Sequence, residues 1–351
     1  MWANAVTVKD TNRTSYLNAT PGTTISMDDI NTMWVWIPRF NAVTPSNYNG
    51  GTQESPGAID VTFVKQNETA IDAFTFGDKQ LSGFWYGKFE IGGTLASACT
   101  NETCNVSNIV VKPNVTSLRS QKVSSFFYAS RSMEQTGNSF GFVNTEVDTH
   151  MSKNNEWGAV AYLTQSIYGR CTNGTTCSEV GINNNSSHKT GIGAAAGSSY
   201  TSATTNSYDT TLGMSASTTG TIYGIYDMSG GAYEYVMGAL ADPNGKPISG
   251  YDSSQNSGFT GTLHKGTTYT GIAFPDSKYY NLYTGTSYTG HALTETKGWY
   301  SDIASFVVAS TPWFMRGGSY DYSTNAGVFN FSYHNGISYD YISSRLVISN
   351  E

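Results

Sequence analysis

The chain has 351 residues, 13% of them charged, with 19 Lys and Arg against 26 Asp and Glu and a formal net charge of −7. The usual charged share is about a quarter; here polarity rests on Ser, Thr, Asn and Gly instead. No Lys/Arg cluster, long apolar run or basic amphipathic helix is present, which argues against a nucleic-acid partner and against direct membrane insertion by this chain.

Residues 1–30 read as an extended polar lead-in. Met33 to Phe40 is aromatic and β-rich and stops at Pro38, which predicts an edge strand. Ile59 to Lys65 and Phe84 to Ile91 alternate as strands. Ser117 to Gln135 has helical composition, and Ser152 is placed to cap a second helix, Asn154 to Gln165, with Trp157, Val160, Ala161 and Tyr162 as its apolar stripe. From about Arg170 to Gly220 the composition is that of loop, not core. Ile222 to Met237 is a turn leading into a strand, and residues 243–300 are loop with a Tyr/Gly/Thr tract that reads as low-complexity surface. Trp313 to Ser319 and Ser344 to Ser349 close the chain as strands. The balance is α+β, loop-rich and low in helix.

Four cysteines form two close pairs in polar stretches, Cys99 with Cys104 and Cys171 with Cys177. Two small disulfide loops in an oxidising compartment is the preferred reading. Zinc is the weaker one, because neither spacing is C-x2-C and no His lies near either pair. Met1-Trp2-Ala3-Asn4 lacks the charged and apolar regions of a signal peptide. We therefore expect an export or anchoring segment outside this chain, and a location outside the cell, at the cell surface or on a virion surface.

The most informative stretch is Arg316 to Ile348. Arg316-Gly317-Gly318 opens it, Ser344-Arg345-Leu346 closes it, and Ala326 to Phe331 is an apolar island. Between these lie Tyr, Asp, Ser, Asn, His, Gly and Ile, with no Lys, Glu, Gln, Met or Trp from Ser319 to Ser344. Such loops suit recognition, since Tyr gives large rigid contact area at low entropy cost and small polar residues adapt their hydrogen bonds. A codon AAC or AAT randomised only at its adenines reaches every residue at Tyr320, Asp321, Tyr322, Ser332, Tyr333, His334, Ile337, Tyr339, Asp340, Tyr341 and Ile342, and none of the five missing types. An ordinary Tyr/Asn-rich surface in a chain poor in Lys and Glu would look much the same. Tyr320, Tyr322, Tyr333, Tyr339 and Tyr341 are the expected anchors, and Arg316, Gly317, Gly318, Glu234 and Arg345 the expected framework.

Three segments carry a family resemblance. Gly224-Ile225-Tyr226-Asp227-Met228-Ser229-Gly230-Gly231-Ala232-Tyr233-Glu234-Tyr235, Arg316-Gly317-Gly318-Ser319 followed by Ser344-Arg345-Leu346, and Asn154-Asn155-Glu156-Trp157 resemble, in the right order, signatures of the formylglycine-generating-enzyme (sulfatase-modifying factor) type of C-type lectin-like fold. Gly231 stands for the usual Asn, Tyr233 and Tyr235 for Trp, and Ser344 for Phe. Within that fold the chain looks most like the variable proteins of diversity-generating retroelements. The resemblance implies one lectin-like domain over residues 31–351, a variable region at about 316–348, and a non-enzymatic surface protein that binds an unknown protein or glycan ligand. The family's oxidases need a copper-binding cysteine pair near the C-terminal motif, and this chain has no cysteine after Cys177. The alternatives are a structural or pilus-like subunit, an adhesin with one fixed ligand and, against the cysteine argument, such an oxidase.

No other catalytic constellation stands out: the five histidines are scattered, and there is no nucleophile elbow or P-loop. No metal site or cofactor is assigned. Calcium enters only as one reading of Glu234, and the other pairs that carboxylate with Arg316 or Arg345, because a buried charge needs a partner.

Overall fold

In the computed structural model, which describes residues 2–350, the main sheet begins where the sequence reads as lead-in. Strand β1 (Asn4–Val8) pairs antiparallel with β2 (Ile30–Pro38), Ala5 lying opposite Trp34, and helix α1 (Asp10–Leu17) connects them. The extended lead-in is thereby corrected, and so is the edge assignment of β2. Covering β2 with β1 removes the exposed row of backbone donors and acceptors that an aromatic edge strand would present. Pro38 is the last residue of β2, a position where its missing N–H costs little. Trp2 is buried, and its indole N–H donates to the Tyr168 carbonyl at 3.0 Å.

The sheet continues with β3 (Gly83–Gly87), while β4 (Val147–Met151) forms its far edge. Helix α2 (Val123–Arg131) is shorter than its composition suggests; residues 117–122 are irregular, with a positive φ at Ser120, and the Ser117 N–H donates to the His188 carbonyl at 2.9 Å. Helix α3 (Asn154–Thr164) is buried on every side, not along one stripe, so it runs through the core as an all-round buried helix must. Ser152 is not its cap. Lys153 holds that position, its N–H bonded to the Glu156 carboxylate at 2.8 Å, while the Ser152 hydroxyl bonds Tyr86 at 2.8 Å.

A second sheet centres on β5 (Tyr233–Leu240). Its neighbours are β6 (Asn281–Tyr283), β7 (Trp313–Gly317) and, beyond β7, β8 (Gly327–His334). The short strand β9 (Ile342–Ser344) pairs parallel with the start of β5. The last strand, β10 (Leu346–Asn350), crosses to the first sheet and inserts between β3 and β4. Phe314 joins the core around α3, whereas Trp313 and Met315 join a second core with Trp34, Phe126 and Ile342, the alternation expected of a strand buried on both faces.

The stretch 170–220 is irregular, as its composition says, but Val180, Ile182, Ile192 and Ala194 are buried within it, so it is packed loop and not only surface. Residues 243–300 likewise contribute Phe259, Leu263, Tyr283 and Trp299 to the interior. Tyr283 sits inside the tract read as surface. Disulfides join Cys99 to Cys104 and Cys171 to Cys177. Among the described residues no helix is long and apolar enough to cross a membrane.

Candidate ligand-binding face

Strand β5 supplies the floor of the site. Tyr233 is opposite Ile342 of β9, and Glu234 lies between Arg316 of β7 and Ser343 of β9. Glu234 and Arg345 are both fully buried and form a two-pronged ion pair. Arg345 Nε donates to Oε2 at 3.0 Å, Nη2 to Oε1, and Nη1 to the Gly87 carbonyl at 2.9 Å. Burial disfavours the Arg345 cation, and the Glu234 carboxylate more than restores it. Of the two arginines expected as partners, Arg345 takes the carboxylate. Arg316 instead donates to the Ala292 carbonyl at 2.8 Å and lies 5.5 Å from the Trp157 ring. Both carboxylate oxygens of Glu234 are thus engaged by an arginine.

Gly317 and Gly318 follow, with φ of 85° and 79°, the left-handed region that side chains resist. A Cβ on Gly318 would stand 2.8 Å from Ala326 Cα. This double turn releases the 319–326 loop, and β8 then leads to a second loop, 335–341. Both loops are pinned through their backbones. The Tyr320 N–H donates to the Gly231 carbonyl at 2.9 Å; the Tyr341 and Tyr339 carbonyls accept from Tyr233 and Ser120, both at 3.0 Å; and Arg119 Nη1 donates to the Asp340 carbonyl. Among the described residues, the side chains of Tyr320, Asp321, Tyr339, Asp340 and Tyr341 make no hydrogen bond.

Between the two loops lies a cleft of about 330 Å³. Tyr320, Asp321, Tyr322, Asp340 and Tyr341 line it, together with Arg119, His188, Tyr233 and Ser319. Ring contacts link its walls: Tyr233 to Tyr322 at 5.2 Å, Tyr233 to Tyr341 at 6.2 Å, Tyr341 to Tyr339 at 4.5 Å and Tyr339 to His334 at 5.4 Å. At the other end Tyr320 meets His188 at 4.8 Å and Tyr200 at 5.9 Å. Burial, and then Arg119, push His188 down to about 4, so its imidazole is neutral at neutral pH.

Not all the expected contact residues belong to this face. Ile342 is fully buried; as the first residue of β9 it packs into the core against Tyr233, so it is removed from the contact set. Tyr333 is 42% exposed, but it pairs with Phe314 in β8 and so points away from Ser332 and His334, to the opposite side of the sheet. Phe331, two residues earlier and on the same side, is core. His334 is wedged against Tyr235 of β5. That hydroxyl has one proton, and the Ile337 carbonyl at 2.9 Å can only accept it, so His334 Nδ1 carries the N–H and donates to Tyr235. Ile337 and Ser332 are half-buried. Arg119, His188, Tyr233 and Tyr200 were not among the expected contacts; the first two come from segments with no local signal.

No family model matches the chain, and no curated protein matches it. Among solved structures it is similar to the Major Tropism Determinant M1 variant, at 16% identity and a TM-score of 0.32, covering 99% of this chain and 71% of that one. It is also similar to Treponema denticola variable protein 1 (12%, TM-score 0.37, 93% and 99% covered) and to PvdO from Pseudomonas aeruginosa (10%, TM-score 0.30, 94% and 99% covered). At this distance the likenesses decide neither the fold family nor the activity.

Proposed function

We propose that the chain is a non-enzymatic ligand-binding protein with one C-type lectin-like domain that includes β1 and α1, and that a retroelement diversifies its C-terminal face. It acts outside the cell, at the cell surface or on a virion, against a protein or glycan ligand. One observation carries the reading: two loops are held by backbone hydrogen bonds to the scaffold, while five of the side chains they display make none. A side chain that contributes nothing to its own loop can be replaced without unfolding the loop. Tyr320, Asp321, Tyr322, Tyr339, Asp340 and Tyr341 are the contact residues of this face. An oxidase of the formylglycine-generating type is disfavoured, because its chemistry needs free thiolates and all four cysteines are tied in disulfides.

Deep sequencing of the 3′ end of the gene across a population, with a search of the flanking DNA for a near-copy, tests the proposal. We expect the codons of those six positions to vary, those for Arg316 to Gly318 and Ala326 to Phe331 to hold, and the near-copy to carry AAC or AAT at the variable sites. Fixed codons without a near-copy would overturn diversification and leave a binding protein with a single ligand.

A further inference from the structure

The cleft between the two loops has walls of tyrosine and two carboxylates. Tyr233, nearly fully buried, forms its back; Tyr322 stands across it at 81°, and Tyr341 is tilted by 56°. The Tyr233–Tyr322 pair is edge-to-face, so part of one ring's face is covered by its partner's edge, and the remaining tyrosine surface of the cleft is open to a ligand. Five tyrosines elsewhere already have a cation at the ring: Lys or Arg lies 4.8–5.9 Å from Tyr86, Tyr208, Tyr251, Tyr269 and Tyr279. Among the described residues none lies over Tyr233, Tyr320, Tyr322 or Tyr341. Asp321 and Asp340, both exposed, bring two negative charges to the rim. The one cation in the lining, Arg119, donates through Nη1 to the Asp340 carbonyl and keeps its charge, so the lining sets two carboxylates against one guanidinium.

We propose that this cleft is a subsite for an alkylammonium head, held by the tyrosine faces and by the Asp321 and Asp340 carboxylates. The assignment rests on the binding-face reading above and narrows it to a ligand chemistry. A cation is attracted to the ring quadrupole within about 6 Å of the centroid, and the carboxylates add direct Coulomb attraction. His188 in the lining is neutral at neutral pH and adds no charge against it. The volume of about 330 Å³ is ample for a trimethylammonium group or the end of a lysine side chain. The same ammonium chemistry can come from a choline headgroup or from a lysine on a protein ligand.

The test is a calorimetric or NMR titration of the full chain with two matched pairs. One pair is choline and its uncharged isostere dimethylbutanol; the other is acetyl-lysine amide and acetyl-norleucine amide. We expect a charged member to bind in the millimolar range and its neutral partner about tenfold more weakly; the pair that binds identifies the source. Tyr322→Ala and Asp321→Asn should each weaken the charged probe several-fold, with melting temperature unchanged. Tyr333→Ala, on the opposite side of the sheet, should leave it unaltered. Equal binding of charged and neutral probes, or no binding of either ammonium compound, overturns the assignment. Neither result depends on codon variation, so the subsite can fail while the diversified face stands, and the reverse.

Discussion

Glu90 ends a chain of hydroxyls that is one proton short unless the carboxyl supplies it. Ser343 Oγ donates to the Leu118 carbonyl at 2.8 Å, so Ser117 Oγ must donate to Ser343 Oγ at 2.8 Å. The remaining contact, between Ser117 Oγ and Glu90 Oε2, then needs its proton from Glu90, while Oε1 accepts from the Ala232 N–H at 2.9 Å. Glu90 is therefore a neutral acid, in keeping with burial and the nearby Asp227 pushing it well above the usual range. An acid raised on folding contributes stability that is full below its unfolded value and lost as pH rises through its folded value. We expect Glu90→Gln to keep the chain of hydrogen bonds and to flatten that alkaline loss. Glu90→Ala should cost about 2 kcal/mol or more; thermal unfolding across pH separates the two. His334 has the opposite sign. Burial lowers it from 6.5 to about 4, so its contribution is full above pH 6.5 and falls as pH drops toward 4. The loss is on the order of 3 kcal/mol, visible in urea unfolding at neutral and acidic pH, and His334→Phe should reduce the slope.

Among the elements, α3 owes its position to a missing side chain. A Cβ on Gly158 would fall 2.2 Å from the Gly290 carbonyl oxygen and 2.5 Å from His291 Cα, both backbone. The helix and the 290–292 segment therefore touch directly, and that segment also receives Arg316 through the Ala292 carbonyl. Gly158→Ala should destabilise by roughly 1–3 kcal/mol, the usual cost of overpacking. Because the strain would reach Arg316 at the end of β7, the substitution should also broaden tyrosine NMR signals from the 319–326 loop. A mutant as stable as the parent, with sharp loop signals, would show that α3 can shift without disturbing the face.

At the scale of the whole molecule, the proposed function requires a scaffold that tolerates little and a face that tolerates much. Removing Arg345 strands a fully buried Glu234, and breaking a buried pair typically costs about 3–5 kcal/mol. Exposed positions away from such features usually change stability by about 0.5 kcal/mol or less. We expect combined substitutions at Tyr320, Asp321, Tyr339 and Asp340 to leave the melting temperature within a few degrees, whereas Arg345→Ala lowers it steeply or prevents folding. Calorimetry on a small panel of variants checks this, and a panel in which the face variants unfold as readily as Arg345→Ala would remove the division.

Local chemistry was enough to read several features from the sequence. Cysteines five and six residues apart closed into the expected loops, the paired glycines at 317 and 318 marked a turn with positive φ, and polar composition marked the long irregular stretches. The orientation of Tyr333 was also legible, since it shares strand parity with the core residue Phe331; reading its exposure without that alternation put it on the wrong side. The rest needed the tertiary fold. Which arginine meets Glu234, 111 residues from Arg345, depends on β9 pairing with β5 in one sheet and β10 with β3 in the other. That Arg119 and His188 join the cleft depends on loops docking from elsewhere in the chain, and that β1 covers β2 depends on an edge that exists only once the sheet has formed. Turn conformation and short disulfide loops are set by neighbours in the chain. Pairing, register and the contents of a cleft are set by which surfaces meet, and no local pattern specifies that.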